Sequence, residues 1–221
     1  MKRTLLSFVA CLGLTTPALA QPEVRPFTLE AMGCMRLFEC TEDVEEVTSV
    51  RDIEAYYQDD RADFSDISVE GNRILAGLNE AGVKVYLADA RYFPTNTRGL
   101  YYADDNVMFL NAGRLTKPYQ MINLLRHEGW HAAQDCMAGT IDNTSLAVIH
   151  LPASVPAYWT SLAERLYPPS QVPWEAEAKW MGATENETAR ALEACSTGAM
   201  WEIYEPTPLT REWLESEGYI K

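Results

Sequence analysis

Two histidines stand four residues apart in the run Leu124-Leu125-Arg126-His127-Glu128-Gly129-Trp130-His131. On a helix that spacing projects both rings from one face, about a turn apart, so His127 and His131 can share one metal ion. Imidazole nitrogen binds zinc at ~2.0–2.1 Å, and a pair at this spacing supplies two such donors. Glu128 follows the first histidine directly. There it lies beside the ion without being obliged to ligate it, which suits a base that deprotonates an activated water. The pattern is His-Glu-x-x-His, and its chemistry is metal-assisted hydrolysis. The chain has only three histidines. For shuffled positions, a pair at this spacing with Glu behind the first arises on the order of 0.2–0.3% of the time, so the run reads as chemistry.

Such a pair needs a helix to carry it. A helical pattern begins at Lys117-Pro118 and runs to about Met137, with Pro118 at the first helical position and Gly139 as a stop. Ahead of it, residues 83–87, 99–102 and 107–110 are short β-like runs, the last two separated by the turn-forming Ala103-Asp104-Asp105-Asn106. Residues 41–60 have apolar residues at helical spacing with Thr41 as a cap, and residues 66–81 predict a second helix ended by Gly82. Further helices are expected at residues 145–149, 157–166 and 174–194. Helices, a small sheet, then helices again make an α+β chain rather than an alternating βαβ one.

Around this motif the chain resembles the HExxH zinc metallopeptidases, the zincins, over about residues 83–183. The resemblance implies a zincin-like fold, a small antiparallel or mixed sheet packed on the active-site helix with further helices around it. It also implies Zn2+ as cofactor and a peptide or protein as substrate. In that family an edge strand precedes the helix and aligns an extended substrate through its backbone; Asn106-Val107-Met108-Phe109-Leu110-Asn111 looks like that strand. A catalytic zinc needs a third protein ligand and an open position. The metzincin pattern would put a histidine where Met137 stands, so that branch is excluded. Trp174-Glu175-Ala176-Glu177-Ala178 is similar to the E-x-E-A segment of several small bacterial gluzincins, which implies Glu177 as the third ligand and Glu175 as second choice. His150, in an apolar run, is a rival ligand or an ordinary core histidine. Asp135, one turn after His131, either accepts a hydrogen bond from an imidazole or is an exposed helix acid.

The composition agrees with a folded, exported chain. The 221 residues are 47% hydrophobic and 23% charged, which excludes coiled coils and collagen-like repeats. A formal charge of −14 argues against a nucleic-acid partner. Lys2 and Arg3, an apolar stretch over residues 5–14 and the ending Ala18-Leu19-Ala20 predict a signal peptide over residues 1–20, cut after Ala20, and a secreted or periplasmic location. No later segment has the ~18 apolar residues that a membrane span needs. Residues 21–40 read as an irregular N-terminal arm and residues 41–221 as a single domain. Beyond the leader stand Cys34, Cys40, Cys136 and Cys195, which allow three disulfide connectivities; Cys34–Cys40 with Cys136–Cys195 is the simplest. The longer bridge would tie the His-bearing helix to the Glu-bearing one.

The resulting expectation is an exported zinc peptidase in which His127, His131 and Glu177 hold the metal and Glu128 is the base. Two other readings share the motif: a zincin-like domain that binds metal or a partner without cutting, and an amidase acting on cell-wall peptides.

Overall fold

In the computed structural model, which describes residues 33–35, 37, 39–40, 43–57 and 63–221, the chain is α+β. The predicted leader, most of the arm and Thr41 lie outside these residues. A four-stranded mixed sheet is formed by β1 (Val44–Glu46), β2 (Lys84–Ala88), β3 (Gly99–Tyr102) and β4 (Val107–Asn111), in the order β1-β2-β4-β3. β2 runs parallel to β4, and β1 and β3 are antiparallel to their neighbours. Asn106, at φ 51°, takes the left-handed conformation that closes the β3–β4 turn.

β4 is central because it pairs with β2 on one side and β3 on the other, and its alternating side chains serve two cores. Met108 and Leu110 point into the main core with Leu125 and Trp130, while Val107 and Phe109 join a smaller apolar cluster with Met35 and Phe93 on the other face. The edge beside the candidate site is β3, so residues 106–111, expected to be an edge strand, are not one.

Six helices bury apolar faces: α1 (Val50–Tyr56), α2 (Ser68–Glu80), α3 (Pro118–Met137), α4 (Ala157–Leu166), α5 (Val172–Gly182) and α6 (Glu187–Ser196); of these α1 alone has a side-chain N-cap, and α3 and α5 have proline in the first turn. Two short ones, α7 (Met200–Ile203) and α8 (Pro208–Ser216), end the chain. α3 carries the histidines and is buried around most of its circumference, as befits the central helix. Buried Arg126, next to His127, makes a two-pronged contact with Glu70 and so fixes α2 to α3.

Residues 41–60 do not form one helix. Ser49 and Asp52 make a reciprocal capping box that starts α1 at Val50, and the residues before it pair with β2. Residues 145–149 are not helical: Ala147 donates its N–H to the Gln134 carbonyl and Ile149 donates to Glu177, so these amides are committed elsewhere. The stretch 174–194 breaks after Gly182, where Thr184 bonds back to the Trp180 carbonyl and Asn186 turns left-handed at φ 64°.

Cys34 meets Cys40 and Cys136 meets Cys195 at disulfide distance, with Cα separations of 5.1 and 5.9 Å. Because of the break, the longer pairing joins α3 to α6 and not directly to the Glu-bearing α5. Among the described residues no helix is long and apolar enough to cross a membrane.

Candidate metal centre

α3 places the rings of His127 and His131 side by side, their centroids 4.9 Å apart. α5 packs closely across them because it presents Gly182, where a Cβ would sit 3.1 Å from the Asn123 carbonyl and 3.4 Å from His127 Cβ. Glu175, in the first turn of α5, lies 3.7 Å from His127 Nε2 and 3.7 Å from His131 Nε2. One ligand atom from each residue falls within 4.8 Å of the others. The two 3.7 Å contacts use different oxygens of the Glu175 carboxylate, Oε2 toward His127 and Oε1 toward His131. Glu175 Oε2 is buried without a hydrogen-bond partner, a costly state that a cation would relieve.

The structure brings Glu175, not Glu177, to the histidine pair. At ~100° per residue, positions two apart on a helix point to nearly opposite sides, so only one glutamate of E-x-E can face α3's histidines. Glu177 is fully buried away from the histidine pair, between Gln134 of α3 and the backbone at residues 149–150. Its carboxylate accepts from Gln134 Nε2 at 2.7 Å, from the Ile149 and His150 N–H groups, and contacts His150 Nδ1 at 2.9 Å. His150 stacks on Trp130, with centroids 5.6 Å apart, and belongs with Glu177 rather than with the metal group.

Gln134 links the two sides. Its amide nitrogen is committed to Glu177 and to the Trp174 carbonyl, so its oxygen accepts from His131 Nδ1–H at 2.8 Å. That assigns the tautomer: Nδ1 is protonated and Nε2 carries the lone pair that faces Glu175. Burial holds the His127 imidazole well below its usual range, helped by the charges of His131 and Lys179, and so favours the neutral, ligating form.

Glu128 points toward the edge strand, where the Tyr101 N–H hydrogen-bonds it; burial, then the charge of Glu175, push its carboxyl up to about 8. Gly99 makes room: a Cβ there would lie 2.8 Å from Leu124 Cδ2 and 3.2 Å from Glu128 Cγ. Asp135 is fully buried and accepts from the Tyr101 hydroxyl at 2.7 Å, not from an imidazole. Tyr101 thus binds β3 to α3 through both its backbone and its side chain.

Sequence reasoning missed three participants. Gln134 carries no motif signal. Tyr167, just after α4, hydrogen-bonds Glu175 with a phenol whose pKa is raised first by burial and then by that carboxylate. Lys179 could have been found, since it lies one turn after Glu175 on the same face of α5.

These groups open into a cleft of about 990 Å3, with α3 as its floor, residues 95–104 as one wall and α4 with α5 as the other. Two imidazoles and a carboxylate beside an open space can hold a divalent metal with a coordination position left free, and Glu128 stands within the same space. No family model matches the chain, and no curated protein and no solved structure matches it.

Proposed function

We propose that this chain is an exported, zincin-like zinc peptidase, with His127, His131 and Glu175 as ligands and Glu128 as the base. The observation that carries the reading is the meeting of those three donors with Glu128 on the floor of one open cleft. Bound there, zinc would polarise a carbonyl and acidify water. The chain's own residues supply the rest. Glu128 takes a proton from the attacking water and hands it to the leaving amine. Gln134 holds the His131 ring, and Tyr167 holds the Glu175 carboxylate. β3 has no strand neighbour on its outer side among the described residues, so its backbone can pair with an extended peptide.

Glu128→Gln tests this. The variant should keep its zinc and lose about 10²–10⁴-fold of its turnover on a diverse peptide library. Turnover at the wild-type rate would remove Glu128 from its role, and peptides retained without cleavage by the wild type would make the domain a binder.

A further inference from the structure

Two cations line the cleft, one on each wall. Arg98 directly precedes β3, and Lys179 lies on α5 one turn beyond Glu175. The Lys179 ammonium stands 5.0 Å from the centroid of the Tyr167 ring, and Arg98 is near enough for its charge to bear on it. Among the described residues neither forms a salt bridge; the carboxylates whose charge bears on Lys179 are Glu175 and Glu128, in the same cleft. The cleft also holds Asp104, Glu128 and Glu175, so a divalent ion on Glu175 would turn a nearly balanced lining net cationic.

We propose that Arg98 and Lys179 form an anion subsite that selects peptides with a carboxylate near the scissile bond. This rests on the peptidase reading of the same cleft. Arginine offers a planar fork that matches a carboxylate's two oxygens, and lysine adds a point charge from the facing wall. The carboxylate comes from an acidic side chain or from the peptide's own C-terminus. A lysine that served only to neutralise Glu128 and Glu175 would need no partner on the β3 wall, yet Arg98 stands there.

The test uses zinc-loaded Glu128→Gln protein and three mixtures of octapeptides randomised over Ala, Leu, Phe, Ser and Gly. One is amidated, one has a free C-terminus, and one is amidated with a single Glu at each position in turn. Retained peptides are quantified by mass spectrometry, and the metal content of each variant is checked. One carboxylate mixture should be enriched about tenfold over the neutral one, as a charge-assisted hydrogen bond would give. Which mixture is enriched identifies the source of the carboxylate. Enrichment should fall to near parity in Arg98→Met/Lys179→Met and persist in Lys179→Arg. Equal retention of all three mixtures, retention of none, or a preference that survives the double change overturns the subsite. The same mixtures incubated with the zinc-loaded wild type separate the two claims. Cleavage without a preference leaves the peptidase reading and removes the subsite. Selective retention without cleavage does the reverse.

Discussion

The amide nitrogen of Gln134 lies 2.7 Å from a carboxylate oxygen of Glu177, and through this contact a buried glutamate of α5 that does not reach the histidine pair orients His131. Glu177 accepts, Gln134 passes the polarity on, and His131 is left with its Nε2 lone pair toward Glu175. Gln134→Met keeps the volume and removes all three side-chain hydrogen bonds, to His131, Trp174 and Glu177. Zinc affinity, measured by competition with a chelator, should fall about 10–100-fold, the usual effect of losing such a partner. An unchanged affinity would mean that the ring is held by packing alone.

Asp135 gives a pH prediction. Burial pushes its carboxyl up to about 8 despite the Tyr101 hydrogen bond, against about 3.9 in an unfolded chain. The unfolded state therefore releases this proton first, and stability falls as pH rises between roughly 4 and 8. Asp135→Asn keeps an oxygen for the Tyr101 hydroxyl and should remove that part of the slope. Melting temperatures from pH 5 to 9 decide: the variant should gain on the wild type as pH rises, and parallel curves would contradict the assignment.

The Cys136–Cys195 pairing closes a loop with a sequence separation of 59. Constraining an unfolded chain over that length contributes at most about 4 kcal/mol. The Cys136→Ser/Cys195→Ser double variant should lose roughly 2–4 kcal/mol in denaturant unfolding. A loss well under 1 kcal/mol would show that the bridge contributes little.

Gly182 sets the distance between the ligand helices. Gly182→Val puts methyl groups where the Asn123 carbonyl and His127 Cβ already stand, so α5 must move off α3. About 1–3 kcal/mol of stability should be lost, and zinc affinity should fall with it. A variant that binds zinc as tightly as the wild type would show that the close approach is incidental.

The histidine helix was legible because its signals were local: Pro118 at its first turn, Gly139 past its end and an apolar period between. The strands β2, β3 and β4 and the β3–β4 turn were legible for the same reason. What sequence did not reveal depends on distant partners. Whether Val107–Asn111 is an edge or a centre is decided by which strands pair with it, Lys84–Ala88 on one side and Gly99–Tyr102 on the other. The stretch 145–149 has a helical pattern, but its amides are claimed by Gln134 and Glu177. The choice between Glu175 and Glu177 turns on the rotation of α5, which is set by where Gly182 meets α3. α8 was missed although Thr207-Pro208 carries a cap and a first-turn proline, a signal that was present.

Metal content of the purified, oxidised protein, measured by mass spectrometry for the wild type, Glu175→Ala and Glu177→Gln, tests the central claim most directly. The account predicts near one zinc per wild-type chain, loss of most of it in Glu175→Ala, and retention, with weaker affinity, in Glu177→Gln. A wild type that takes up no zinc on reconstitution, or a Glu175→Ala protein that holds it as firmly as the wild type, would contradict it.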